Sequence, residues 1–244
     1  MEPYSRLLHE EGKTYYSEGL IDSDPSTWPL EWRTTYYKEY PRFKSFPLPS
    51  RTPSSDLFQA IAHRKSSRTF TNEPLTREQL GTLLKYSCGA FIHEHDREQP
   101  LHRAQPSGGA RYPIETYVLL FKGSDLAAGV YHYNVRTHAL EFMWDAGEQF
   151  NHTSHLMRGE WTKDASALIV FTGVFWRNQN KYKARGYRMI CAEAGAIIQN
   201  MYLVAPSIAL KCTALAGTND DQIETLLDLD TDQESLITSI VIGT

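Results

Sequence analysis

The stretch QPSGGARYPIETYVLLF, residues 105–121, decides the fold. It is a loop, Pro106-Ser107-Gly108-Gly109, that runs almost directly into a buried strand, ETYVLLF (115–121). Two adjacent glycines allow φ > 0 and a close approach of backbone to a planar ligand, which a Cβ resists. A lone Gly-Gly pair also reads as a plain turn before a strand. Upstream, HRKSSRTF (63–70) sets Arg64, Lys65 and Arg68 within five residues, with the hydroxyls of Ser66 and Ser67 between them. A phosphate monoester is bound by this combination, guanidinium forks taking its oxygens and hydroxyls filling the remaining acceptors. A solvated basic helix end, favourable to the helix dipole, has the same composition.

Working outward, SSDLFQAIAHR predicts a short helix capped by Ser54 or Ser55, with Leu57, Phe58 and Ile61 on one face. Thr76-Arg77-Glu78-Gln79 is a capping-box pattern that opens a second helix with the stripe Leu80, Leu83, Leu84. Residues 129–144 predict a hairpin turning at 134–137, and a helix is expected near 146–158. SALIVFTGVF (166–175) is a further strand, and residues 180–204 predict one long helix carrying Ala192, Ala194, Gly195 and Ala196. Pro206-Ser207 ends or kinks it. Strands over 211–216 and 235–242, with a helix near 220–227 between them, complete the chain. The mixture predicts an α+β domain, a central mixed or antiparallel sheet flanked by helices, over residues 53–244.

Residues 1–52 stand apart. Aromatic side chains such as Trp28, Trp32, Tyr36, Tyr37 and Phe46 alternate with Pro25, Pro29, Pro41, Pro47 and Pro49. The prolines break regular elements, yet disordered tails are poor in aromatics, so an extended arm that packs on a surface, such as that of a partner subunit, is expected, with a partly ordered tail as the plainer alternative.

Among 244 residues, a net charge of −4 argues against a nucleic-acid binder. No apolar run is long enough for a membrane helix, and the first residues lack the apolar core of a signal peptide, which predicts a cytoplasmic protein. Cys88, Cys191 and Cys212 are odd in number and widely spaced, as suits reduced thiols.

The order RKSSR, PSGGARYPIE, GVYHYN and KYKARGYRMICAEAGAIIQNMYLVA strongly resembles the nitroreductase-like flavoproteins, and within them the SagB-type dehydrogenases, including those that oxidise azoline rings to azoles. The resemblance covers about residues 53–244 and extends loosely to YPRFKSFPLP (40–49). It implies a homodimer with two FMN sites at the subunit interface. Arg64, Lys65, Ser66 and Arg68 then match the phosphate and ribityl contacts, and Pro106, Ser107, Gly108 and Gly109 the loop along the isoalloxazine. Ala216 and Gly217 fall where backbone amides face flavin N5 and O4. Such donors stabilise the charge that collects there on reduction. Lys181-Tyr182 matches the lysine–tyrosine pair that acts on substrate protons in the azoline-oxidising relatives; otherwise the two are surface groups at a helix start. The family's basic residue near the C-terminus is missing from SIVIGT, with Arg185 and Arg188 as substitutes.

Glu193 is expected to serve polar packing at the dimer interface, paired with Arg185 or Arg188. His93, His95, Asp96 and His102 lie in a charged loop that reads as solvated rather than as a metal site, or as a lid over the flavin. The function expected is oxidation of a heterocycle or peptide-derived intermediate by hydride transfer to flavin N5, beside a cyclodehydratase or peptide synthetase. The alternatives are an NAD(P)H-dependent nitro or quinone reductase, and a non-catalytic flavin-fold subunit of a biosynthetic complex.

Overall fold

A computed structural model describes residues 3–13, 24–92, 101–145 and 155–244. Its centre is a seven-stranded sheet in the order β1-β6-β5-β4-β7-β9-β8, every neighbouring pair antiparallel. The strands are β1 (Lys44–Pro47), β4 (Ile114–Leu120), β5 (Gly129–Asn134), β6 (Ala139–Trp144), β7 (Ala167–Val174), β8 (Lys211–Leu215) and β9 (Glu234–Gly243). A separate two-stranded ribbon joins β2 (Ala90–Ile92) to β3 (Leu101–Arg103).

The central strands read as unbroken apolar runs because both faces are covered. Along β7, Ile169 and Phe171 belong to one core cluster, and Leu168 and Val170 to the other. Period-2 alternation thus divides one strand between two cores. The first core lies under α4 (Arg77–Cys88) and α6 (Arg185–Val204). The second holds Tyr117, Leu119 and Met157, with Ile223 from α7 (Asp220–Leu226). Helix α4 has the expected capping box, Gln79 N donating to Thr76 Oγ1 at 3.1 Å and Thr76 N to Gln79 Oε1 at 3.0 Å.

Two local expectations differ from the structure. Helix α3 (Leu57–His63) is capped by Asp56, whose carboxylate accepts from Gln59 N at 2.8 Å, and neither Ser54 nor Ser55 serves. The single helix expected over 180–204 is two, α5 (Phe175–Tyr182) and α6, broken at Lys183 with φ 48. The two helices approach closely at the break: a Cβ on Gly186 would sit 3.0 Å from the Asn178 carbonyl carbon. The helix expected over 146–158 falls mostly outside the described residues.

Residues 24–52, set apart in the sequence as an arm, join this chain's own sheet. They carry the short α2 (Leu30–Arg33) and the edge strand β1, whose Phe46 pairs with Leu140. Lys38 reaches Glu234 at 2.5 Å and Tyr117 Oη at 2.6 Å. At the N-terminus, α1 (Pro3–Glu11) lies by the start of α6, where Arg185 Nη1 donates to Gly12 O at 3.3 Å.

Candidate active site

The segment that follows α3 is extended and runs beside β8, the free edge of the sheet. Ser67 N donates to Cys212 O at 3.1 Å, and Thr71 N to Thr244 O at 3.0 Å. Arg64, Lys65, Ser66 and Arg68 are all exposed there. The Arg64 guanidinium lies 5.1 Å from the Tyr202 ring, and that of Arg68 5.9 Å from the Trp161 ring. Ser66 Oγ and Tyr202 Oη are 2.9 Å apart. None of the three cations forms an ion pair among the described residues, so their charge is free for an anion. The Ala214 amide points out of the edge, to Tyr202 Oη at 2.8 Å. Ala216 and Gly217 follow directly on the end of β8. The guanidinium, ammonium and hydroxyl donors gathered at this edge fit a phosphorylated cofactor.

The loop of Pro106, Ser107, Gly108 and Gly109 sits elsewhere, against α5 and the first half of α6. Glu193 faces the loop and Tyr202 faces the phosphate cluster. Nine residues separate them, an axial rise of about 13.5 Å. A Cβ on Gly108 would meet Met189 Cε, the movable end of a flexible side chain, and one on Gly109 would meet Tyr182 Oη. Gly109, Ala110 and Tyr112 have φ of 66, 52 and 47, a run of left-handed backbone that stores strain in this loop. Tyr112 N donates to Ser107 Oγ at 2.9 Å and fixes the turn.

Lys181 and Tyr182 end α5 beside this loop. Lys181 is only 5% exposed, its Nζ lying 3.2 Å from the centre of the Trp28 ring and 5.7 Å from that of Trp32. Among the described residues that amine has no hydrogen-bond partner. Burial lowers its pKa, and the charge of Arg111 adds to the effect. Burial raises the pKa of Tyr182, with Arg111 opposing.

Glu193 is also buried beside the loop. Gln105 Nε2 donates to its Oε1 at 3.1 Å, and the Ser107 hydroxyl also favours its charged form. Burial pushes its pKa to about 7. The expected pairing of Glu193 with Arg185 or Arg188 is not formed, because both arginines turn to the α1 backbone, at Gly12 and His9. Nor do they reach the phosphate cluster within one protomer: Arg188 precedes Tyr202 by fourteen residues of helix, about 21 Å.

A buried charge relay, unforeseen in the sequence, anchors the loop. Arg177 on α5 donates to Tyr112 O at 3.1 Å and pairs with Glu115 at 2.6 Å. His132 contacts Glu115 through Nε2 at 3.1 Å and Glu141 through Nδ1 at 2.9 Å. Burial opposes the His132 charge, yet the two carboxylates raise its pKa. The pKa of Glu115 is held down to about 2, because Arg177 and His132 outweigh its burial. The sequence signal was present: Glu115, His132 and Glu141 each interrupt an apolar strand. His93, His95 and Asp96 lie outside the described residues, while His102 is on β3; among the described residues no cluster could hold a metal. Cys88 and Cys212 are buried free thiols and Cys191 is an exposed one.

Comparison with known proteins gives the same frame. The model of the Nitroreductase family matches residues 61–244. The trifolitoxin-processing protein TfxB of Rhizobium leguminosarum bv. trifolii is 29% identical over 212 residues, covering 81% of this chain and 56% of TfxB. The chain thus spans little more than half the length of that relative. The microcin B17-processing protein McbC of Escherichia coli is 29% identical over 192 residues, 71% of this chain and 68% of McbC. Among solved structures, the E. coli microcin synthetase McbBCD complex with truncated pro-MccB17 bound superposes with a TM-score of 0.63 at 22% identity, covering 99% of this chain and 91% of the matched one. A nitroreductase-fold protein from Desulfovibrio desulfuricans in complex with FMN superposes at 0.52 and 21% identity, covering 78% and 86%. The resemblance to the SagB-type branch of the nitroreductase-like flavoproteins is met by these matches. Among the described residues, no helix is long and apolar enough to cross a membrane.

Proposed function

The chain belongs to the nitroreductase family, and on that premise we propose that it is an FMN-dependent, SagB-type dehydrogenase that oxidises a heterocycle or peptide-derived intermediate. When bound, FMN supplies a hydride acceptor at N5. Arg64, Lys65, Ser66 and Arg68 would hold the phosphate and ribityl chain. The Ala216 and Gly217 amides would face the ring edge, and the loop from Pro106 to Gly109 would lie along the ring. A homodimer completes the sites in this reading, supported by the exposed apolar face of α3 and by Gly195, whose outward face meets nothing within 4 Å. A cyclodehydratase or peptide synthetase in the same cytoplasmic pathway would supply the substrate.

The observation that carries the reading is the Lys181 amine, buried, without a hydrogen-bond partner among the described residues, and adjacent to Tyr182, whose hydroxyl lies against Gly109. Forming a double bond in a ring removes one hydrogen as hydride and its neighbour as a proton, and the proton needs a base. An amine whose burial disfavours its charged form can accept it, alone or through the Tyr182 hydroxyl. Dioxygen would then reoxidise the flavin.

Two half-reactions test this. In Lys181→Ala and Tyr182→Phe, FMN should stay bound and be reduced by dithionite as in wild type. Reduction by a thiazoline substrate should slow by about 10²–10⁴, the range for a positioned acid or base. Wild-type substrate oxidation in both variants would refute the role of the pair. Rapid FMN reduction by NAD(P)H, with none by thiazolines, would instead establish the nitro or quinone reductase. A protein that takes up no FMN would be the non-catalytic subunit.

A further inference from the structure

Between the arm and the 105–112 loop opens a cavity of about 830 Å³. The charged side chains on its wall are Arg33, Arg103 and Arg111, and no carboxylate lines it among the described residues. Arg111 is 1% exposed and Arg103 8%. Arg111 gives Nε to Arg177 O at 2.8 Å and Nη1 to Thr34 O at 2.9 Å, both neutral acceptors. Among the described residues its Nη2 is buried without a hydrogen-bond partner, as is Nε of Arg103. Lys181 Nζ, under the Trp28 ring that borders the same cavity, is a third buried nitrogen without a hydrogen-bond partner among the described residues.

Elsewhere the interior pairs its cations with carboxylates. Arg177 has Glu115, Lys38 has Glu234, and His132 has Glu115 and Glu141. Around this cavity the buried guanidinium groups of Arg103 and Arg111 form no ion pair among the described residues, and Glu115, Glu193 and Glu31 act on them only from a distance. Burying charge in that way is costly unless a ligand supplies the opposite sign.

We propose that the cavity is an anion subsite which takes the carboxylate of the molecule to be oxidised. The substrate is then a planar, carboxylate-bearing heterocycle rather than an uncharged interior segment of a peptide. This rests on the reading that Lys181 and Tyr182 meet the substrate. A carboxylate suits the free N–H groups of Arg111 and Arg103, since a planar anion accepts from guanidinium in its own plane. The aromatic walls, Trp28, Trp32, Tyr37 and Tyr112, suit a flat organic body behind that charge. An inorganic or flavin phosphate is the poorer match, because the exposed Arg64–Arg68 cluster already offers its donors at the β8 edge.

The test compares thiazole-4-carboxylate with the uncharged thiazole-4-carboxamide, titrated calorimetrically into the full-length protein as purified, at pH 7. The carboxylate should bind at least about tenfold tighter, the scale of one charge-assisted hydrogen bond. That preference should disappear in Arg111→Gln and in Arg103→Gln; the second variant decides the matter where the first fails to fold. Equal affinity for the two probes, binding of neither, or a preference that survives in a folded variant would overturn the proposal. Inorganic phosphate that displaces the carboxylate and binds more tightly would overturn it as well, by making the cavity a phosphate site. Binding is read without turnover, so a protein that discriminates the probes yet fails to oxidise thiazolines would keep this subsite and lose only the proposed reaction.

Discussion

Replacing Glu193 by Gln removes an ionisable group and keeps nearly the same shape, which isolates the effect of one buried proton. Glu193 is 3% exposed, and burial raises its pKa from an ordinary 4.5 to about 7. The sign follows from linkage. Below pH 4.5 the carboxyl is neutral in both folded and unfolded chains and costs nothing. Between 4.5 and about 7 the unfolded chain ionises while the folded one keeps its proton, so stability falls as pH rises. A difference of about 2.5 units corresponds to about 3 kcal/mol at 1.36 kcal/mol per unit, lost in full above the folded value. The Gln variant cannot ionise and should keep its hydrogen bond to Gln105. Part of this loss has occurred by pH 5, so urea denaturation at pH 5 and pH 8 should show a wild type that loses about 2.5 kcal/mol relative to Glu193→Gln between the two conditions. Parallel pH profiles for the two proteins would refute the reasoning, since Glu193 would then titrate alike when folded and unfolded.

Other expectations follow from the same geometry. Arg68→Ala should weaken FMN binding by about 1.5–3 kcal/mol, the value of a hydrogen bond to a charged group, as read by flavin fluorescence on titration; unchanged affinity would move the phosphate elsewhere. Phe58→Glu, on an α3 side chain that is 78% exposed, should leave the monomer folded and weaken the homodimer in sedimentation, and an unchanged dimer would place the interface on another face. Gly109→Ala should cost about 1–3 kcal/mol in thermal denaturation from its left-handed φ, the contact with Tyr182 Oη adding to it. A melting temperature equal to wild type would show that the loop is not strained.

Much of the fold was legible because local signals and tertiary demands coincide. ETYVLLF and SALIVFTGVF carry apolar side chains for both faces of a covered sheet, and the capping box at Thr76 is satisfied by neighbours three residues away. Illegible features depend on distant partners. β1 contains Pro47 and pairs across 92 to 98 positions with β6, which no local pattern announces. The break at Lys183 lies where α5 and α6 approach closely, and the helical period of the sequence runs straight through it. In the site, RKSSR, PSGG and Lys181-Tyr182 could be found because each is contiguous. Arg111, Gln105 and Glu193 could not be joined, since residues 105 and 193 meet only once α6 lies over the loop.

The boundary between arm and domain, drawn at residue 52 from composition, does not coincide with a boundary in the energetics. Glu234 accepts from Lys38 of the arm and from Tyr117 and Thr172 of the sheet. Arg111 donates to Thr34 O, Glu141 accepts from Tyr40 N, and Lys181 lies under Trp28. Each contact joins a buried charge of the sheet or loop to a group on the arm. Without residues 24–52, Glu234 would lose its cation, Arg111 a further acceptor, and Lys181 the ring that shields it from water. The stretch that looks like an appendage thus determines how strongly Lys181 is desolvated, and with it how readily that amine gives up its charge.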